Sequence, residues 1–156
     1  MEVNGHKIEP GANLTGAELT GALLLETDLT AANLTNANLT GAGLVGATLW
    51  MANLTNANLS GAFLSGADMT GADLTNANLT LAELIGADLT AAEMISADLA
   101  AATLIYTNLT AANLTNANLT NANLTLANLT KANLSGANLV GADLQGATMP
   151  DGTIHN

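Results

Sequence analysis

From Ala12 onward the chain repeats one pattern of apolar and polar positions every five residues. Leu or Met stands at every fifth position from Leu14 to Met149, 28 in succession. Two places before each of these centres stands Ala, except in two units, where Thr27 and Thr107 replace it. An α-helix turns about 100° per residue, so a five-residue period drifts by about 140° per unit and scatters the centres around the cylinder. An uninterrupted strand fails too, because an odd period sends successive centres to opposite faces. What remains is a short extended piece in which Ala and Leu both point inward, followed by a corner.

The exceptions to the repeat give the number of corners in one circuit. Asn36, Asn56, Asn76 and Asn116 share one position of the repeat and lie multiples of twenty apart. Leu25, Val45, Ile85 and Ile105 share another, and Ala31, Ala91 and Ala111 a third, on the same grid. Four units therefore make one coil, and the 28 units predict seven. The fold class is all-β: a quadrilateral parallel β-helix with neighbouring coils about 4.8 Å apart and a length of roughly 34 Å. Leu14, Leu34, Leu54, Leu74, Met94, Leu114 and Leu134 are the core centres of one wall. Each buried Leu contributes about 1.5–3 kcal/mol, so the solenoid is stabilised by stacking of like on like.

The pattern fails before Gly11 and after Met149, which divides the chain into a cap over 1–10, a solenoid over 11–149 and a turn and cap over 150–156. Val3 and Ile8 are expected to cover the first coil, since an open coil is an unpaired sheet edge. Pro150-Asp151-Gly152 reads as a turn, with Ile154 in register as a degenerate last centre.

Units such as Ala37-Asn38-Leu39-Thr40-Gly41 and Ala72-Asp73-Leu74-Thr75-Asn76 resemble the pentapeptide-repeat family, over residues 11–149. The resemblance implies a right-handed quadrilateral β-helix. One branch of that family imitates duplex DNA, binds DNA gyrase and topoisomerase and protects them from quinolones, with Phe at many centres. A second branch, abundant in photosynthetic bacteria, acts through protein contacts where it is understood. No centre here is Phe, so the chain resembles the second branch.

Composition narrows the function further. Two Lys and no Arg stand against thirteen Asp and Glu, giving a net charge of −11. So few cations cannot displace the counterions of a phosphate backbone, which argues against direct nucleic-acid binding. The balance suits a cationic partner or imitation of a polyanion. With one Phe, one Tyr and one Trp, the interior is filled by Leu and Ala and is narrow and uniform. Cysteine is absent, so no disulfide framework or thiolate metal site is available. The first ten residues contain no apolar run and polar residues recur throughout, so the expected location is the cytoplasm, with no membrane association.

A search for chemistry finds no catalytic residue, metal set, cofactor motif or small-molecule substrate site. His6 and His155 lie near opposite ends of the rod. Ser60, Ser65, Ser96 and Ser135 have no nucleophile-elbow context, and no Gly-rich phosphate loop opens a helix. The residues needed for nucleophilic or acid–base work are missing, and the reading is non-enzymatic. Asn-Leu-Thr triplets such as Asn13-Leu14-Thr15 and Asn118-Leu119-Thr120 match the glycosylation sequon because the repeat generates them.

The twenty-residue grid assigns every outward residue to a wall, and the walls differ. The one centred on Leu24, Leu44, Leu64, Leu84, Leu104, Leu124 and Leu144 carries Leu23, Leu25, Val45, Phe63, Ile85 and Ile105, with Leu81, Tyr106 and Leu126 at its edges. Such a stripe covers several hundred Å², the scale at which apolar patches mark interaction sites, so a protein partner or self-association along this wall is expected. Trp50 and Met51 form a separate apolar spot. The walls centred on Leu14 and Leu19 are dominated by Asn and Thr. Asp68, Asp73, Glu83, Asp88, Glu93 and Asp98 form an acidic belt across all four walls. Stacked carboxylates about 5 Å apart in water repel by only about 0.8 kcal/mol, so the belt requires no bound cation. The leading function is a scaffold or interaction module. The alternatives are a DNA-mimicking regulator of gyrase, from the charge and rod shape, and an ice- or surface-binding solenoid, from columns such as Thr15, Thr35, Thr55 and Thr75.

Overall fold

The structure is a computed structural model describing residues 1–156. Its architecture is set by one ladder: Asn13 bridges Asn33, Asn33 bridges Asn53, and every further solenoid bridge to Asn128–Thr148 is parallel and twenty residues apart. Within it the Leu14 N–H donates to the Asn33 carbonyl at 2.7 Å, and the Asn33 N–H donates to the Ala12 carbonyl at 2.9 Å. One circuit therefore takes twenty residues, as the exceptions to the repeat predict.

Each corner is a β-turn closed by the following Ala, or by Thr27 or Thr107 in its place, as where the Ala17 N–H donates to the Leu14 carbonyl at 3.0 Å. The residue just before each inward Ala or Thr takes positive φ, from 52° to 71° over all 28 corners between Gly11 and Gly146. Positive φ at the third turn residue marks a type II turn. Four such corners per circuit make the section a quadrilateral.

Inside, the centres from Leu14 to Leu129 are buried, and so are nearly all the alanines between them. The two inward threonines fare differently. The Thr107 hydroxyl donates to the Leu84 carbonyl at 2.8 Å, whereas the buried Thr27 hydroxyl has no partner.

The two ends are unlike. At the first, β1 (Glu2–Val3) and β2 (His6–Lys7) form an antiparallel hairpin. It delivers Ile8 into the core, 3% exposed, with Val3 packed beside it. At the other end Leu134, Leu139 and Leu144 are only partly buried, because no coil lies above them. Leu134 thus differs from the other six centres assigned to its wall. Ile154 is also not a centre. The chain reverses at Pro150–Gly152, Ile154 bridges Thr148 antiparallel, and its side chain is exposed. The Gly152 N–H still donates to the Met149 carbonyl at 2.9 Å as at every corner, but positive φ falls on Gly152 at 85° instead of on Asp151, and the Met149 N–H donates to the Thr153 carbonyl at 2.7 Å, so the chain folds back on itself.

Candidate functional site

His6 sits in the first hairpin and His155 on the returning strand at the far end, and no three of His, Asp and Glu gather anywhere. No helix is long and apolar enough to cross a membrane. The one concavity is open and lies high on the apolar wall, lined by Thr125, Leu126, Gln145, Gly146, His155 and Asn156.

The apolar stripe lies on one wall. Leu23 bridges Gly43, Gly43 bridges Phe63, and the Gly66 and Gly86 N–H groups donate to the Ile85 and Ile105 carbonyls, so these positions stack coil upon coil. Leu23 is 72% exposed and Tyr106 63%. Leu25, Val45, Phe63, Ile85 and Leu126 are also exposed, whereas Ile105 is half-buried.

The sequence reading placed Leu81, Tyr106 and Leu126 at the edges of this wall but missed their backbone. All three occupy the positive-φ corner position, at 60°, 58° and 58°. That conformation costs a side chain with a Cβ about 1–2 kcal/mol, and twelve of the 28 corners avoid the cost with Gly. Bulky apolar residues occur at only one other corner, at Met51. Three of the four thus border the apolar wall; Leu81 and Tyr106 stay largely exposed, and Leu126 lies partly over Gly146. The signal was available in sequence as large residues where the repeat favours Gly or Asn.

The belt residues pair as the grid requires: Asp68 bridges Asp88, and Asp73 bridges Glu93. Glu83 lies on the apolar wall beyond Phe63, and Asp98 follows Asn78 on the preceding wall. The carboxylates are partnered by neutral donors: Asn113 donates to Glu93 at 2.7 Å and Asn118 to Asp98 at 2.9 Å. Asp28, across the corner from Leu25, has its pKa held below its ordinary value by the Thr30 side chain and then by the Thr30 N–H at 2.9 Å. Asp151 is lowered in the same way by the Thr153 hydroxyl and N–H.

The wall centred on Leu14 is finished by its own hydrogen bonds. The Asn113 side-chain oxygen accepts from the Thr115 hydroxyl at 2.7 Å and from its N–H at 3.3 Å, and the same pairing joins Asn33 to Thr35 and Asn53 to Thr55. These are Asx-turns, the local bond that stabilises a corner. They commit the hydroxyls of Thr15, Thr35, Thr55 and Thr115 to Asn side chains.

Comparison with known proteins agrees with this architecture. The family model for pentapeptide repeats matches in eight copies, over residues 12–50, 52–90, 82–121, 92–130 and 107–146. Among solved structures, HetL of the cyanobacterium Nostoc sp. strain PCC 7120, a pentapeptide repeat protein involved in heterocyst differentiation regulation, is 39% identical. The match covers 93% of this chain and 75% of HetL, with a TM-score of 0.49. Rfr23 from the cyanobacterium Cyanothece 51142 is 36% identical over 67% of this chain and 64% of its own, with a TM-score of 0.52. QnrB1, a plasmid-mediated fluoroquinolone resistance protein, is 21% identical over 86% of this chain and 71% of its own, and its TM-score of 0.69 shows a shared fold. Against curated protein sequences no significant match is found. The chain belongs to the pentapeptide-repeat family, whose members fold as right-handed β-helices.

Proposed function

We propose that this protein is a non-catalytic interaction module that docks a protein partner along its apolar wall. The observation that carries the reading is the concentration there of exposed apolar side chains, three of them held at strained corners. At Leu81 and Tyr106, which stay largely exposed, burial does not offset the positive-φ cost, and this reading takes them to serve contact rather than folding. The regulatory role of HetL supports a binding function of this kind. The test replaces Phe63, Ile85 and Ile105 with Ser in one variant. Capture of a partner from the source organism, or self-association in light scattering, should disappear, while circular dichroism shows the fold intact. Unchanged behaviour in both measurements removes the reading.

A second reading, a DNA-mimicking regulator of gyrase, is favoured by the net charge of −11 on a rod and by the fold shared with QnrB1. It predicts inhibition or protection in a supercoiling assay at micromolar protein, and an inert result dismisses it.

A further inference from the structure

The last coil ends in a sheet edge that is covered on one wall and bare on the others. Over the wall centred on Met149 the cover is the chain's own returning strand. The Gly146 N–H donates to the His155 carbonyl at 2.7 Å, the His155 N–H to the Ala147 carbonyl at 2.8 Å, and the Met149 N–H to the Thr153 carbonyl at 2.7 Å. Ala147 beneath this strand is fully buried. The open concavity around Gln145, Gly146 and His155 lies where the strand crosses the corner, at the step down to the uncovered part of the coil.

The same set of main-chain groups recurs on the two preceding walls without a partner. The N–H groups of Gly141 and Leu144 with the carbonyl of Ala142, and the N–H groups of Gly136 and Leu139 with the carbonyl of Ala137, make no hydrogen bond within the chain. Ala137, Leu139, Ala142 and Leu144 are only half-buried. Sheet edges that must stay bare are guarded by Lys, Pro or inward charges. From 132 to 146 the only charged residue is Asp143, and no Pro occurs.

These groups select what can cover them. A helix satisfies its own backbone and would leave them unpaired, whereas an extended segment brings N–H and carbonyl groups in the order the returning strand already uses. A second copy fits poorly. The returning strand stands one spacing, about 4.8 Å, above its wall, so two such ends face to face meet on that strand and hold their bare walls about two spacings apart. The returning strand also sets the pattern of side chains. Ile154 pairs with outward-facing Thr148 and is exposed, so Thr153 and His155, which carry the bonds, lie over the interior. A segment on the bare walls sets alternate side chains above Leu139 or Leu144 in the same way.

We infer that the bare edge over Leu139 and Leu144 binds an extended segment of a partner protein, antiparallel to the coil, with apolar side chains at alternate positions. The bonds lie on the end of the rod rather than along its side, so the inference stands apart from the docking reading above.

The probe is a labelled synthetic peptide, Lys-Thr-Val-Thr-Val-Thr-Lys, with binding read by fluorescence anisotropy. Methylating the Val amides removes the N–H that pairs with the coil and should weaken binding at least about tenfold, while methylating the Thr amides, which face away, should spare it. Hydrogen exchange at the amides of Gly136, Leu139, Gly141 or Leu144 should slow at least about tenfold on saturation with the unmethylated peptide. Ala137→Glu combined with Ala142→Glu places inward charges on the edge and should weaken binding by a similar factor. If that variant does not fold, the methylated peptides decide. Equal binding of the two methylated peptides, unslowed exchange, full binding by a folded Glu variant, or no binding at all overturns the inference. Protection of the same amides that rises with protein concentration in the absence of peptide overturns it in favour of a second copy. The triple Ser variant at Phe63, Ile85 and Ile105 should bind the peptide as the unaltered protein does, and lost binding there puts the peptide on the apolar wall and overturns the inference. Loss of a captured partner by that variant keeps the docking function whichever way the peptide behaves.

Discussion

The wall centred on Leu14 and the wall centred on Leu24 share one backbone and one core, yet they are completed differently. On the first, Asn and Thr side chains bond to each other and to the next coil, and the adjoining corner that carries Asn36, Asn56, Asn76 and Asn116 uses a residue suited to positive φ. On the second, such bonds are few, large apolar groups face solvent, and the corners carry Leu81, Tyr106 and Leu126. The same scaffold therefore carries two kinds of surface, one closed by its own hydrogen bonds and one left apolar. The polar wall is finished by Asx-turns and carries Asn at most positions of one of its corners, whereas the apolar wall places Leu81, Tyr106 and Leu126 at positive φ.

Four measurements test this comparison. The largest effect belongs to the shared interior. Leu74→Ala beneath the polar wall and Leu84→Ala beneath the apolar one should each lower the unfolding free energy by about 2–5 kcal/mol, since both are fully buried with coils on either side. Urea denaturation giving very different losses for the two would show that the walls differ inside as well as outside.

Next comes the polar finish. Asn113→Ala removes the acceptor of two Thr115 bonds and the donor to Glu93, and should cost about 1–2 kcal/mol. Thr103→Ala, on the apolar wall, should stay within about 0.5 kcal/mol. A smaller effect of opposite sign is expected at the strained corners, where Tyr106→Asn should raise stability by about 0.5–1 kcal/mol through relief of positive-φ strain. If thermal melting shows Tyr106→Asn to be destabilising, the corner is packed rather than strained.

The smallest effect is at the acidic rim. Because Thr30 depresses the Asp28 pKa, the folded protein titrates this group below its ordinary value near 3.8. The stabilisation it supplies is present above the unfolded value and is lost as pH falls through the folded one. Thr30→Val should move the midpoint upward in an NMR titration of the Asp28 side chain, and an unmoved midpoint would show that Thr30 does not hold the carboxylate.

Much of this was legible in the sequence because the repeat is a physical constraint written 28 times. Leu at every fifth position excludes helix and strand, and Asn36, Asn56, Asn76 and Asn116 reveal the circuit. The ends were harder to read, because a single unit carries no period. Ile8 was identified as a plug by its apolar character, but Ile154 kept the five-residue phase while the chain had already turned back on itself. Leu134 carries the same residue type as its column and differs only in what lies above it, which no local pattern encodes. The strained corners depend on φ, and their sequence trace is only a residue of the wrong size at one position.

The parallel ladder joins each residue to the one twenty places on, and this makes the surface a matter of counting. Removing twenty residues from mid-rod takes out one storey and leaves every remaining column aligned. Removing five preserves the Leu core equally well but rotates everything above the cut by a quarter turn, carrying Ile85, Ile105, Tyr106 and Leu126 onto a different side from Leu23 and Phe63. A core that tolerates both deletions would keep its fold, and only the first would keep a continuous surface for a partner to read.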